Sequence, residues 1–188
     1  MPIDPEFKLV IQWFRRFLPS YNGIHLLNPP VHITATVELD SCLTGCGAIF
    51  ASQYYHTPYP DFILDQCKPI CHLEMLNIVV AAKTRGTQWT HHTIRVFCDN
   101  MSAVQVLLNS RGRDSYLLQC ARELWLLSAT HSFSLIPTHK PDAQMTAADA
   151  LTRAHLRTDF RTMLHDIGVE DAHRVNMPQE RFILDATF

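Results

Sequence analysis

Four carboxylates are placed where a folded chain could bring them to one edge. Asp40 closes a run of strand character, and Glu74 falls in the first turn of a helical run. Asp99 ends a short apolar strand, and Asp149 lies in the last helix of the main domain. Acids gathered together repel one another and raise one another's pKa unless a cation sits among them. Oxygen-only ligands select hard divalent ions, Mg²⁺ above all, with Mn²⁺ as a substitute. Two such ions about 3.5–4 Å apart can clamp the attacking and leaving oxygens of an in-line phosphoryl displacement. Each acid alone has a plainer role. A strand-ending Asp commonly caps the next helix, and an acid in a first turn favours the positive helix end. Sequence order alone does not make the four converge, so the elements that carry them decide the matter.

The organising stretch is Arg95–Val104. Arg95–Cys98 is a β-branched, aromatic and apolar run, as in a central strand. Asp99 or Asn100 is placed to cap a helix carrying Ala103, Val104, Leu107 and Leu108. A carboxylate at the carboxyl end of such a strand sits where open α/β sheets place their ligands. Upstream, Val31–Asp40 alternates with period two, and Gly47–Ser52 returns after a Gly45–Gly47 turn. Asp61–Leu64 reads as a third, poorly specified strand after Pro58 and Pro60. Ile70–Arg85 turns helical and stops at Gly86, and a second amphipathic helix runs through Leu117, Cys120, Ala121 and Leu124. Phe133–Pro137 is the last strand and Met145–Ala154 the last helix. The reading is an α/β fold with a mixed five-stranded sheet, three antiparallel strands and then two parallel, flanked by helices.

Residues 30–155 form the domain on this reading, with Pro29-Pro30 as its boundary. Residues 1–29 hold a tag remnant (Asp4-Pro5-Glu6-Phe7) and a connecting helix over Phe7–Leu18. Residues 156–188 form a mixed tail with a short helix around Phe160, Met163, Leu164 and Ile167. With 188 residues, 47% hydrophobic and 18% charged, the composition is that of an ordinary globular protein. No apolar run reaches membrane-spanning length. A net charge of −2 is too low for a protein held on nucleic acid by charge alone. Phosphate therefore has to be handled by local basic groups or by metal. The six cysteines read as reduced thiols of an intracellular protein, cytoplasmic or nuclear. Cys42-x-x-x-Cys46 and Cys67-x-x-x-Cys71-His72 fit no common zinc spacing. Trp13, Trp89 and Trp125 read as packing residues, and His91-His92 as a turn.

Four segments in order carry a family resemblance. They are Val37-Glu-Leu-Asp-Ser-Cys-Leu-Thr-Gly-Cys-Gly-Ala48, Cys71-His-Leu-Glu-Met-Leu76, Phe97-Cys-Asp-Asn-Met-Ser-Ala-Val104, and His139-Lys-Pro through Ala148-Asp-Ala-Leu-Thr-Arg153. Over roughly residues 31–155 the chain resembles the ribonuclease H domain of retroelement reverse transcriptases. It is most similar to that of tyrosine-recombinase (DIRS-type) retrotransposons. The resemblance implies a ribonuclease H-like fold, endonucleolytic hydrolysis of the RNA strand of RNA–DNA hybrids, and an upstream reverse transcriptase polymerase domain as partner. It also implies two Mg²⁺ ions, one held by Asp40, Asp99 and Glu74 and the other by Asp40 and Asp149. One metal would lower the pKa of the attacking water and the other stabilise the leaving 3′ oxygen. His139 matches a loop histidine that the family uses in proton transfer or product release. Relatives often carry Gly and Asn in that loop, where this chain has Asp142 and Met145.

A requirement for RNA would come from contacts to 2′-hydroxyls across a minor groove. Asn100, Ser102 and the backbone near Gly45 are candidates, although capping and turn formation alone explain each. Arg111, Arg113, Lys140, Arg153 and Arg157 are the basic residues near the edge. Arg111 and Arg113 flank Gly112 where some relatives insert a basic substrate-binding projection. The short loop here implies low hybrid affinity that falls steeply with salt. Two further readings stay open. One is a catalytically weak or inactive module of this fold that binds nucleic acid or acts as a scaffold. The other is a different nuclease of the same fold, an exonuclease or a strand-transfer enzyme.

Overall fold

The computed structural model of the chain describes residues 4–21, 32–156, 158–166, 168–169 and 173–185. The Pro29-Pro30 boundary, Val31, Arg157 and Ile167 lie outside the described residues. Five strands make one sheet: β1 (Ala35–Ser41), β2 (Gly45–Phe50), β3 (Gln53–Pro58), β4 (Thr93–Cys98) and β5 (Ser134–His139). Their order is β3-β2-β1-β4-β5. β1–β2 and β2–β3 are antiparallel, and β1–β4 and β4–β5 are parallel. The meander therefore runs outward from β1, and the chain then returns to lay β4 on its other side. That reversal is a topological switch point, where α/β sheets form their crevice.

Helices α1 (Pro5–Phe17), α2 (Asp61–Leu64), α3 (Ile70–Arg85), α4 (Met101–Asn109), α5 (Ser115–His131), α6 (Thr146–Thr152) and α7 (Phe160–Asp166) complete the regular structure. One face of the sheet buries Val37, Leu39, Cys46, Ala48, Ile94, Val96 and Cys98 against apolar residues of α3, α4 and α5. The opposite face is smaller, with Tyr54 and Leu151 packed on Met163, Leu164 and Val169. Phe182 and Leu184 of the tail enter the larger core beside α3. Lys83, only 6% exposed at its side chain, pairs there with buried Glu123 at 2.9 Å and with Asp185 at 2.8 Å. Trp13 is buried edge-on to Trp125, and Trp89 is edge-on to Phe133.

The mixed sheet matches the sequence reading, but its third strand does not. β3 is Gln53–Pro58, whereas Asp61–Leu64 is the short helix α2. The expected second strand also ran too long. Phe50 pairs with Gln53, so Ala51 and Ser52 form a two-residue turn with Ala51 at φ 54°. Tight hairpins need such a left-handed residue, and Gly or Asn is its usual signal. An alanine there concealed the hairpin. Pro58 closes an edge strand, where a missing N–H costs no ladder bond. Asp4-Pro5-Glu6-Phe7, set aside as a remnant, is mostly helical. Pro5 opens α1, and the Lys8 amide donates to the Asp4 carbonyl, in keeping with proline at a first helical position. No helix among the described residues is long and apolar enough to cross a membrane.

Candidate active site

The parallel pairing of β1 with β4 ends at Glu38 opposite Phe97, although both strands continue. Beyond that rung the strands part, and the resulting notch holds the acids. Asp40 lies past the last rung on β1 and remains paired on its other side with Gly47 of β2. Its backbone carbonyl has no partner strand on the β4 side. Two buried side chains take that place: Asn77 Nδ2 donates at 2.7 Å and Thr152 Oγ1 at 2.6 Å. Asn77 also donates to the Gly47 carbonyl at 3.0 Å and accepts from the Tyr55 hydroxyl. The strand end, α3 and α6 are thereby tied through one peptide group.

Asp99 follows β4 directly. Asn100, not Asp99, caps α4: its Oδ1 accepts from the amides of Ser102 at 2.9 Å and Ala103 at 3.2 Å. The Asp99 carboxylate is left free of that duty. Its Oδ1 is buried and has no hydrogen-bond partner among the described residues. Glu74 is the fifth residue of α3, one turn beyond the first, because the helix starts at Ile70. That corrects its placement in the first turn and removes the helix-end explanation for it. Glu74 is 5% exposed and reaches the notch from the large-core face. Asp149, in the first turn of α6, comes from the opposite face and is paired with Arg153 Nε at 2.8 Å.

The acids feel one another. Burial, with the charges of Asp99 and Asp40, pushes the Glu74 carboxyl up to about 8. Burial raises Asp40 to about 6, with Asp99, Asp149 and Asp142 adding to it. Asp99 is raised by burial and by Asp142 and Asp149, against which a hydrogen bond from its own backbone amide and the His139 charge act. Ligand atoms of Glu74, Cys98 and Asp99 lie within 4.8 Å of one another. Acids this hard to ionise, beside a buried carboxylate oxygen with no donor, fit a divalent cation, which would supply the missing positive charge.

The structure brings Asp40, Glu74, Asp99 and Asp149 into one electrostatic neighbourhood with His139, whose Nε2 is 3.1 Å from the Asp99 carbonyl. Asn100 stands beside Glu74, and Ser102 is exposed on the first turn of α4. Gly45 opens β2, where an added Cβ would meet His155 at 2.7 Å and the Thr57 carbonyl at 2.8 Å. Lys140 is ion-paired with Glu38 and lies over the Phe97 ring. Arg111 and Arg113 are exposed past the far end of α4, a helix length or about 15 Å from its first turn. Four participants were not anticipated: Asn77, Thr152, Asp142 and Cys98. Asn77 had a signal, since it stands one turn after Glu74 on the same face, the two being the only polar side chains between Leu73 and Ala82 of α3. None of the six cysteines is in a disulfide.

Sheet order, strand senses and flanking helices match the ribonuclease H-like fold expected from the sequence. No family model and no curated protein matches the chain. Among solved structures, RNase H1 from the halophilic archaeon Halobacterium salinarum NRC-1 is similar in fold. It is 17% identical, with 65% of this chain and 96% of that chain covered and a TM-score of 0.48.

Proposed function

We propose that the protein is a metal-dependent ribonuclease H that cleaves the RNA strand of RNA–DNA hybrids. The observation that carries this reading is the convergence of four carboxylates from four separate elements on the notch between β1 and β4, with one buried Asp99 oxygen unpartnered. Asp40, Glu74, Asp99 and Asp149 would hold two hard divalent cations, taken to be Mg²⁺ or Mn²⁺. Bound there, the cations would supply an activated water and neutralise charge developing on the phosphodiester.

The chain's own residues do the positioning. Asn77 and Thr152 fix the Asp40 backbone from both faces of the sheet. The Asn100 cap frees the Asp99 carboxylate. His139, exposed beside Asp99, is placed to exchange protons with solvent during product release. Two nearby cations are already engaged, Lys140 by Glu38 and Arg153 by Asp149. That supports weak substrate grip by this chain alone and a neighbouring polymerase domain as the natural partner. The four sequence segments quoted above support a retroelement origin, and six free cysteines support a reducing, intracellular location.

The test is cleavage of end-labelled RNA–DNA hybrid, RNA duplex and DNA duplex with Mg²⁺ or Mn²⁺, with EDTA and Asp99→Asn as controls. Cutting confined to the RNA of the hybrid, lost with either control, is expected. Failure of the well-folded protein to cut under both metals, also when supplied with a polymerase domain, refutes the reading.

A further inference from the structure

One face of the β4–β5 half of the sheet is left open by the described helices. Thr36, Arg95 and Ile136 form one row across β1, β4 and β5, and Glu38, Phe97 and Thr138 form the next. They alternate with Val37, Ile94 and Val96 of the larger core, so both rows lie on the side away from it. The helices on that side, α6 and α7, pack over β1, β2 and β3. Phe97 and Ile136 belong to neither apolar cluster of the described residues and stay partly exposed. Arg95 adjoins both. Its Nε is buried without a hydrogen-bond partner, and its guanidinium has no ion pair among the described residues. The other charges of the face cancel, since Lys140 is paired with Glu38 and lies 5.2 Å from the centre of the Phe97 ring. A partly buried guanidinium without a counter-charge is costly. Phosphate or carboxylate oxygens are its natural partners, held by two N–H groups at once.

We propose that this open face of β1, β4 and β5 binds a single-stranded extension of the nucleic acid held at the notch, with Arg95 on a phosphate and Phe97 under a base. The choice of a nucleic acid as occupant rests on the proposed function. A peptide carboxylate would satisfy Arg95 alone, whereas a nucleotide strand offers Arg95 a charge and Phe97 a flat ring together. Arg95, Phe97 and Asp99 follow one another on the same side of β4, so the cation stands about 13 Å behind the acid at about 3.3 Å per residue. That is a span of about four stacked nucleotides. A cation beside an aromatic ring suits any single strand, because every linkage is charged and every base has a π-face. Paired bases turn only their edges outward and offer Phe97 no such face. A hybrid ending in an unpaired tail would therefore be held more tightly than a blunt one.

The test is fluorescence anisotropy of labelled octauridylate on the full chain in EDTA, at rising salt. Binding that weakens with salt is expected. Arg95→Met, which keeps the aliphatic stem, should weaken it about tenfold and flatten the log–log salt slope by about 0.7, the share of one phosphate on a single strand. Phe97→Leu should weaken it about tenfold with the slope unchanged. The proposal is overturned by a parent protein that does not bind, or by variants that bind as the parent does. It is overturned equally if octaglutamate competes as well as unlabelled octauridylate, which would point to an acidic peptide instead. If Arg95→Met does not fold, Phe97→Leu and the competition decide. Cleavage of a blunt hybrid with Mg²⁺ by the parent protein reports separately on the proposed function. Cutting without octauridylate binding sinks this inference alone, and binding without cutting sinks that reading alone.

Discussion

Gly47→Ala should damage the site from a position that touches no substrate. Gly47 lies opposite Asp40 on β2, and α6 rests directly on it. A Cβ there would stand 2.8 Å from Leu151 Cβ, 2.8 Å from the Thr152 amide nitrogen and 2.9 Å from the Leu151 carbonyl carbon. Two of those atoms are backbone, so no side-chain rotation relieves the clash. Ordinary carbon contacts begin at about 3.5 Å, and the helix must therefore retreat by about 0.7 Å. Overpacking of this kind costs about 1–3 kcal/mol, or about 2–12 °C in Tm for a chain of this size. The helix takes Asp149 and the Thr152 hydroxyl with it. Misplacement approaching 1 Å costs up to about a hundredfold in rate, so hybrid cleavage should fall about tenfold to a hundredfold. Thermal melting and Mg²⁺-dependent cleavage, run side by side, read both effects. Gly112→Ala is the control, since its Cβ would meet only the end of the Val106 side chain at 3.0 Å. Gly47→Ala protein that melts with the parent and cleaves at its full rate would refute the claim that α6 is pressed onto β2 here.

Three further outcomes are expected. Without metal, Glu74 and Asp40 titrate at about 8 and about 6, above their ordinary values of 4.5 and 3.8. Each holds its proton more tightly when folded, so its contribution favours the folded state at low pH and is lost as pH climbs through 6 and 8. The Tm of EDTA-treated protein should fall from pH 5 to pH 8, with Mg²⁺ restoring more at pH 8; a flat metal-free profile would count against the buried acid set. Lys83→Met removes the buried cation that pairs with Glu123 at 2.9 Å and should cost about 3–5 kcal/mol in urea unfolding, whereas a loss under 1 kcal/mol would show the pair to be superfluous. Phe182→Ala empties a place in the larger core against Tyr59 and should cost about 3–5 kcal/mol, a value that would drop near zero if the tail were a loose appendage.

The parts of the fold that were legible in sequence are those in which local pattern and burial agree. α3 matches its apolar run and Gly86 stop to the residue, and β4 matches the Arg95–Cys98 run apart from two residues at its start. Misread segments are those in which one residue did an unusual job. Ala51 took a left-handed turn without the customary glycine, which hid the β2–β3 hairpin. The short tail helix was legible as α7, but beyond it no periodicity announced that Phe182 and Leu184 reach the core from a nearly irregular segment. Within the site, the acids were visible because charge at an element end is conspicuous. Their support was not. Asn77 and Thr152 act on a backbone carbonyl that lacks a partner only because β1 and β4 separate there, and no sequence pattern announces where a ladder stops. Asp142 counts through space alone, from the single 3-10 turn Asp142–Gln144.

The separation of β1 from β4 after Glu38 and Phe97 also divides the molecule's cooperativity. On one side β1 stays laddered to β2, and on the other β4 stays laddered to β5. Across the notch, side-chain bonds from Asn77 and Thr152 hold the Asp40 strand end to α3 and α6. Each such bond contributes about 1 kcal/mol, against about 5–15 kcal/mol for unfolding a domain. The mouth of the site can therefore breathe in excursions far cheaper than global unfolding. On the proposed function, ions and cleaved ends would have a way out that leaves the core intact.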